Sequence, residues 1–157
     1  MKAVSPNIRP ACGSDVERIV QIERSWDHLS HWSIEAYYRL LQEDRFTWTF
    51  VAELEGNDPI DIVGFVIFHV VEHVSEIYNI AVDEKYNRLG VGGLLMNTVI
   101  ERSRHQGARK VILEVRKSNA EAIRFYSGFD FRTCGERHNY YSNPLEDAYV
   151  MDRDLRF

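Results

Sequence analysis

The arrangement of hydrophobic and polar positions divides this chain into strand-like and helix-like segments. Apolar and polar residues alternate in some segments, and short apolar runs bounded by turn residues occur in others; both are typical of strands. Gly56–Pro59 predicts a turn between two of these strands. The predicted strands are Ile8–Pro10, Thr47–Leu54, Ile60–Val71, Val74–Val82, Lys110–Val115, Phe131–Asn139 and Ala148–Asp154.

Capping residues and helical spacing predict the helices. Ser14–Glu17 has the pattern of a capping box, and it opens a segment whose apolar positions share a face with Glu23. Ser33 is predicted to cap a second helix that ends near Glu43. The remaining two run from Val91 to Gln106, before Gly107 as the C′ residue, and from a capping box at Ser118–Glu121 to about Tyr126.

The order of these elements is β-α-α-β-β-β-α-β-α-β-β. Such an order requires a mixed sheet with helices on both faces, so the expected fold class is α/β (α+β). Lys110–Val115 is the most apolar short strand, and we expect it to be buried on both faces as central parallel strands are.

Length and composition predict one globular domain over residues 1–157. Hydrophobic content of 45% and charged content of 27% are ordinary for a soluble protein. The sequence has no apolar run long enough to span a membrane and no apolar signal core at its start, so we expect no membrane association and a cytoplasmic location. Cys12 and Cys134 lie far apart, which fits a reducing compartment.

Charge and histidine spacing argue against two classes of ligand. The net charge is −5 and the basic residues are scattered, so we expect no nucleic-acid binding. The pairs His28/His31 and His69/His73 have ligand-like spacing, but no cysteine or carboxylate completes a tetrahedral set. We therefore expect no metal.

A glycine-rich loop carries the first candidate chemistry. Asn87–Gly93 lies between a predicted strand and a predicted helix, where backbone N–H groups meet the positive end of the helix dipole. This arrangement suits a phosphate or pyrophosphate, although a tight turn without a ligand has the same pattern. The loop has neither the Lys-Ser/Thr of a P-loop nor the third glycine of the dinucleotide fingerprint, because Leu95 stands there.

Two further residues are candidates for proton transfer. Glu114 interrupts an apolar strand, so it is either a solvated edge charge or a partly buried carboxylate tuned as a base. Tyr126 lies on the apolar stripe of a short helix, where core packing and proton donation are both open. The pair Tyr140-Tyr141, after Arg137–Asn139, is predicted to end a strand and to form either a substrate wall or ordinary hairpin packing.

Five segments of this chain, in their order along the sequence, resemble successive motifs of the GNAT acyltransferase superfamily. Within that superfamily they are most similar to the RimI-like ribosomal-protein-alanine N-acetyltransferases. The resemblance covers roughly Ile8 to Met151. Asn87–Gly92 is similar to the family's Q/R-x-x-G-x-G/A pyrophosphate loop, with Asn87 where Gln or Arg is usual. Asp130 also departs from the pattern, at a position where the family usually has glycine. The other matching segments are Ile80–Asp83, Leu113–Arg116, Ser118–Ala120 and Arg137–Tyr141.

This resemblance implies a GNAT fold, with a six- to seven-stranded, mostly antiparallel sheet and splayed central strands. It implies acetyl-coenzyme A as the donor, Glu114 as general base and Tyr126 as general acid. The acceptor would bind at Trp32, in the loop Ser30–Ser33, and at Tyr140 and Tyr141. The implied cofactor-binding residues are Ile80, Ala81, Val82, Arg88, Leu89, Gly90, Val91, Gly92, Gly93, Leu94, Asn119 and Tyr126.

The expected activity is acetyl transfer to the N-terminal α-amine of a protein or peptide, in a ternary complex of a monomer or homodimer. An α-amine has a pKa of about 8 and lysine about 10.4, so forming the neutral amine at pH 7 costs about 1.4 and about 4.6 kcal/mol. A single carboxylate suits the α-amine better. A GNAT enzyme acting on a small amine or a lysine side chain, and a non-catalytic acyl-coenzyme A sensor, remain the alternatives.

Overall fold

The structure is a computed structural model, and it describes residues 5–29, 31–56 and 59–156. Ser30 and the centre of the predicted turn at Gly56–Pro59 therefore lie outside the described residues. The strands are β1 (Asn7–Pro10), β2 (Thr47–Leu54), β3 (Asp61–Val71), β4 (Val74–Val82), β5 (Lys110–Arg116), β6 (Arg132–Ser142) and β7 (Leu145–Asp154). The α-helices are α1 (Val16–Arg24), α2 (Ile34–Glu43), α3 (Val91–His105) and α4 (Ala120–Ser127), with short 3-10 turns at Gly13–Asp15 and Glu84–Tyr86.

The strands form a seven-stranded sheet in the order β1-β2-β3-β4-β5-β7-β6. The pairs β1/β2, β2/β3, β5/β7 and β6/β7 are antiparallel. The pair β4/β5 is parallel, and its register runs from Val74 opposite Lys110 to Glu76 opposite Ile112. The predicted α/β fold class, with a mostly antiparallel sheet, is confirmed.

The chain folds as two compact units, residues 1–69 with 78–102 and residues 70–77 with 103–157. The prediction of one domain over the whole chain therefore stays a prediction. No helix among the described residues is long and apolar enough to cross a membrane.

In the first unit, helices cover both faces of β3. Residues of α1 and α2 form a buried cluster with Phe65 and Ile67. Gly64 belongs to the opposite face of β3, which packs on α3. A Cβ added at Gly64 would lie 3.1 Å from Val91 and 3.2 Å from Leu95, both on α3. The predicted two-sided packing is present in this unit, and α3 approaches the strand so closely that any side chain at residue 64 would require its neighbours to shift.

In the second unit, β5 is the central strand of a small apolar core. Val111, Leu113 and Val115 are buried, whereas Ile112 and Glu114 on the opposite face are partly exposed. The expectation that β5 is buried on both faces therefore holds for one face and only in part for the other. Within this unit β5 pairs with the antiparallel β7, and the alternation in burial is typical of such a strand.

Both predicted capping boxes differ from the structure. Ahead of α1, Asp15 accepts from the Cys12 N–H at 2.8 Å, so the capping box begins two residues before the predicted Ser14–Glu17 box. Asn119 caps α4 by accepting from the Ala122 N–H at 3.2 Å. Its predecessor Ser118 bonds Glu146 instead, through its N–H and its hydroxyl. Ser118 does not cap the helix, because Glu146 on β7 accepts hydrogen bonds from both of its donors.

Candidate active site

The glycine loop occupies the place that its sequence predicts, between β4 and α3. Residues 87–90 are exposed, and Arg88 and Gly90 have φ of 65° and 80°. The first helical hydrogen bond runs from the Leu94 N–H to the Gly90 carbonyl at 3.1 Å, so the N–H groups of residues 91–93 precede the first closed turn. Nothing lies within 4 Å of the point where a Gly90 side chain would begin. This open, donor-rich helix start fits a pyrophosphate.

The end of β4 is fixed by contacts within the first unit. Trp26 Nε1 donates to the Val82 carbonyl at 2.9 Å, so this oxygen is already engaged. Arg18 pairs with Asp83 at 2.5 Å, and Asp83 in turn accepts from the Lys85 N–H at 3.0 Å. Burial is the largest influence on the Asp83 pKa and acts to raise it, but the hydrogen bonds from Arg18 and the Lys85 N–H, together with the charges of these two residues, outweigh burial and the pKa is lowered. The segment that leads into the glycine loop is therefore held by a charged pair.

Trp32 lies between α1 and α2, where its ring contacts two tyrosines of the same unit. The centroid separations to Tyr37 and to Tyr78 are both 5.7 Å. Tyr78 is 40% exposed and also packs on His69 at 4.7 Å. The predicted acceptor residue thus belongs to an aromatic group with one exposed member.

Glu114 is largely buried and carries an ion pair. Its side chain is 9% exposed, and Oε1 accepts from Arg137 Nε at 3.0 Å. Arg137 itself is 53% exposed. The solvated-edge interpretation of Glu114 is therefore wrong, and the partly buried carboxylate is what the structure contains.

Tyr126 packs edge-on against Phe125 and lies 5.9 Å from the ring of Phe131. Burial raises its pKa to about 12. The phenol is consequently protonated at neutral pH, as a proton or hydrogen-bond donor has to be.

Tyr140 and Tyr141 lie at the end of β6, as expected, directly before its last residue, Ser142. Their rings meet edge to face at 5.0 Å, and the Arg116 guanidinium stands 4.2 Å from the Tyr141 ring. Burial raises the pKa of Tyr141, and the nearby Tyr140, Glu114 and Tyr126 raise it further. The second unit therefore contains the predicted base, the predicted acid and the two tyrosines of the predicted acceptor wall.

Asn119 is the predicted cofactor residue whose side chain already has a structural task. Its Oδ1 caps α4, as described above. The predicted role of Asn119 toward pantetheine stays a prediction, and its Nδ2 group is not used in this cap.

Sequence reasoning missed two arginines of this cluster. Arg137 pairs with Glu114, and Arg116 donates to the carbonyls of Asn143 and Pro144 at 3.2 and 2.9 Å. Arg116 is buried, which is rare for arginine and requires partners that a sequence does not reveal. Among the described residues, no group of three or more His, Cys, Asp or Glu could hold a metal ion.

Comparison with known families identifies the chain. The profile of the family "Acetyltransferase (GNAT) family" matches residues 15–131. The chain belongs to the GNAT acetyltransferase family. This match confirms the acyltransferase class that the motifs indicated, and members of this family use acetyl-coenzyme A.

Relatives within the GNAT family include enzymes named for N-terminal or alanine acetylation. The chain is 31% identical to the N-alpha-acetyltransferase of Sulfolobus acidocaldarius, covering 98% of this chain and 95% of that protein. It is 38% identical to the [ribosomal protein bS18]-alanine N-acetyltransferase of Escherichia coli K12 over 57% of this chain and 62% of that protein. The crystal structure of the ribosomal-protein-S18-alanine N-acetyltransferase from Escherichia coli superimposes with a TM-score of 0.83 at 28% identity, covering 98% and 96%.

Proposed function

We propose that this chain transfers an acetyl group from acetyl-coenzyme A to the N-terminal α-amine of a protein, a ribosomal protein being one candidate. The observation that carries the proposal is its similarity, over almost its whole length, to enzymes named as N-alpha- and S18-alanine N-acetyltransferases. The acceptor chemistry agrees with a single candidate carboxylate at Glu114, because the neutral α-amine costs only about 1.4 kcal/mol at pH 7.

The glycine loop is the proposed site for the donor's pyrophosphate. Arg88–Leu94 would contribute backbone N–H groups, and the absence of side chains at Gly90, Gly92 and Gly93 lets the phosphates approach the main chain. Ile80–Val82 would bind pantetheine through main-chain groups, with Asn119 and Tyr126 also near it. The engaged Val82 carbonyl leaves other main-chain groups of this segment for that task. The bound donor supplies an activated acetyl thioester.

Glu114 is the proposed general base for the acceptor amine. Arg137 occupies Oε1, so the proton would pass to Oε2, directly or through a water. Trp32, Tyr140 and Tyr141 would contact the acceptor peptide. The half-exposed Tyr140 is suited to this role, because aromatic walls with polar groups nearby are common in binding sites.

Tyr126 is the proposed acid for the leaving sulfur. With a pKa of about 12 it lies roughly 3.5 pKa units above a thiol near 8.5, so complete proton transfer is uphill by about 5 kcal/mol. The phenol therefore acts first as a hydrogen-bond donor that stabilises developing negative charge on sulfur. Tyr126 would then pass its proton to the sulfur and regain one from water, so that coenzyme A leaves as the thiol and the phenol is restored.

An acetylation assay with three acceptor classes tests the function. We expect turnover on peptides with a free N-terminus, and far less on N-blocked lysine peptides and on small amines, measured by product mass. Turnover confined to small amines or lysine would contradict the proposal, and donor binding without any turnover would favour a sensor.

The same assay tests the two assigned roles. Glu114→Gln should lower kcat/KM by roughly 10²–10⁴-fold, and Tyr126→Phe should lower kcat. Glu136→Gln is the matched control, because Glu136 is an exposed carboxylate on β6 paired with Lys117 at 2.7 Å. Full activity of the Glu114 variant would remove Glu114 as the base.

A further inference from the structure

A carboxylate lies fully buried in the first unit and has no part in the chemistry proposed above. Glu23, on the inner face of α1, is 0% exposed. Its Oε1 accepts from the Trp32 N–H at 2.9 Å, and its Oε2 accepts from the Tyr37 hydroxyl on α2. Burial raises the pKa of Glu23, against the effect of these hydrogen bonds.

A buried carboxylate at a core position lowers the stability of the fold unless its partners compensate for the lost hydration. Burying a carboxylate among apolar side chains costs several kcal/mol, which hydrogen bonds from neutral donors offset only in part. The neighbours of Glu23 on this face are Val16, Ile19 and Val20, all buried and apolar. An apolar residue at this position would avoid that cost, but it could not form a directional bond to a loop N–H.

The loop that receives this bond connects α1 with α2 and contains Trp32. It is anchored at two described points: Trp26 Nε1 bonds the Val82 carbonyl on β4, and the Trp32 N–H bonds Glu23. Between them, the His31 ring contacts the Trp26 carbonyl at 3.2 Å. The second anchor sets the direction in which the Trp32 side chain leaves the main chain.

The carboxylate also connects this loop with β4. Tyr37, which donates to Glu23, is hydrogen-bonded to the side chain of Asn79. Asn79 directly precedes Ile80–Val82, the segment proposed for pantetheine. A continuous path of hydrogen bonds thus runs from the Trp32 main chain through Glu23 and Tyr37 to the strand beside the donor segment.

We propose that Glu23 is a positioning residue for the acceptor: its buried carboxylate fixes the α1–α2 loop at Trp32 and, through Tyr37, ties that loop to Asn79 on β4. This inference rests on the proposed function, since it assigns acceptor binding to Trp32. Glu23 touches neither substrate. It acts by holding the acceptor loop in one orientation.

Two substitutions at this position separate positioning from packing. Glu23→Met removes both acceptor oxygens while keeping an unbranched side chain of similar size, and Glu23→Gln keeps one carbonyl oxygen for the Trp32 N–H. We expect Glu23→Met to raise the KM for a free N-terminal peptide by roughly tenfold, equivalent to about 1.4 kcal/mol. The KM for acetyl-coenzyme A should change by less than about twofold, and Glu23→Gln should restore most of the peptide KM.

Ser103→Ala is the matched control, because it deletes a buried hydrogen bond elsewhere. Ser103 is fully buried and donates to Ser75 at 2.8 Å. It should leave both KM values unchanged even if it lowers the melting temperature. If Glu23→Met does not fold, the double variant Glu23→Met/Tyr37→Phe removes the stranded hydroxyl and should give the same rise in peptide KM.

Amide hydrogen exchange measures how firmly the α1–α2 loop is held, independently of enzyme turnover. Amides in peptides covering Trp32 should exchange faster in the folded Glu23→Met protein, or in the double variant, than in wild type, Glu23→Gln and Ser103→Ala. Unchanged exchange, an unchanged peptide KM, or equal rises in both KM values would overturn the positioning role. A wild-type enzyme inactive on free N-terminal peptides would instead overturn the proposed function, while the exchange result would still decide whether Glu23 holds the loop.

Discussion

Two buried carboxylates of the first unit have pKa values shifted in opposite directions, although burial acts to raise both, because their partners differ. For Asp15 burial acts to raise the pKa, but Arg9 bonds both of its oxygens at 2.8 and 2.9 Å and the pKa is lowered. For Glu23 burial is again the largest influence, and the neutral donors Tyr37 and Trp32 do not overcome it, so the pKa is raised. A charged partner stabilises the ionised form more strongly than a neutral donor does.

The lowered pKa of Asp15 predicts a pH-dependent contribution to stability. A carboxylate with a depressed folded-state pKa stabilises the fold above its unfolded value, about 3.9, and this stabilisation is lost as pH falls through the folded-state pKa. Asp15→Asn should therefore lower the free energy of unfolding by about 2 kcal/mol at pH 7 and by clearly less at pH 3. Urea unfolding of wild type and Asp15→Asn at pH 7 and at pH 3 measures this difference in the free energy of unfolding.

A suitable control for this prediction is the exposed pair of Asp154 with Arg156. Asp154→Asn should leave the urea midpoint at pH 7 almost unchanged, because exposed ion pairs contribute little. A loss for Asp15→Asn that is equal at pH 7 and pH 3 would contradict an electrostatic origin.

At the residue scale, the sequence indicated where the unusual carboxylates lie, but not which groups they are hydrogen-bonded to. The helical spacing placed Glu23 on the same face as Val16 and Ile19, and this face is buried. Nothing in the sequence indicates that its partners are the Trp32 N–H and Tyr37. Likewise Glu114 stood out in an apolar strand, whereas its pairing with Arg137 depends on the register of β6 against β7.

At the element scale, local patterns predicted most boundaries and failed where a distant group competes. Thr47–Leu54 and Val74–Val82 are predicted with their observed ends, since alternation and turn residues are local signals. Ser33 caps α2 as expected, accepting from the Ala36 N–H at 3.1 Å. Ser118 does not cap α4, because Glu146, far along the chain, accepts both of its donors.

The close approach of α3 to β3 gives an element-scale prediction. A Cβ at residue 64 would lie 3.0 Å from the Ala81 carbonyl oxygen, as well as pressing on Val91 and Leu95. Gly64→Ala should therefore lower the free energy of unfolding by about 1–3 kcal/mol. It should also weaken acetyl-coenzyme A binding, because Ala81 and Val91 are both proposed donor residues. Urea unfolding and isothermal titration calorimetry measure the two effects.

Gly135→Ala is the control for Gly64→Ala. A Cβ at Gly135, on β6, would meet its nearest neighbour, Val150, at 4.0 Å, which is ordinary contact. This change should be neutral or slightly stabilising, because it reduces the freedom of the unfolded chain. Equal destabilisation by the two substitutions would show that close packing at Gly64 is not the cause.

At the scale of the whole molecule, the element order follows from the sequence but the strand order does not. Each element carries its own signal, so the predicted succession of strands and helices is the observed one. The insertion of β7 between β5 and β6 depends on pairings between distant segments, which no local pattern encodes. The family resemblance implied a mostly antiparallel sheet of six to seven strands, but it did not give this strand order.

The single domain proposed for residues 1–157 predicts one cooperative unfolding transition. Calorimetry should give equal calorimetric and van 't Hoff enthalpies, and acetyl-coenzyme A at about 100 times its Kd should stabilise the protein by about 2.7 kcal/mol. For a chain of this size, that is a rise in Tm of roughly 5–10 °C. Two resolved transitions, of which acetyl-coenzyme A shifts only one, would contradict a single domain.

The two outermost strands also bear on how the protein behaves at high concentration. β1 has four residues and ends at Pro10, which has no N–H to offer another chain. At the other edge, β6 is mostly exposed, carries Glu136 and Arg137, and breaks register between Arg137 and Tyr141, where Asn139 has a positive φ of 50°. Short length, charge and irregular backbone all oppose the addition of a foreign strand. The same β6 that presents Tyr140 and Tyr141 therefore protects this sheet from edge-to-edge aggregation.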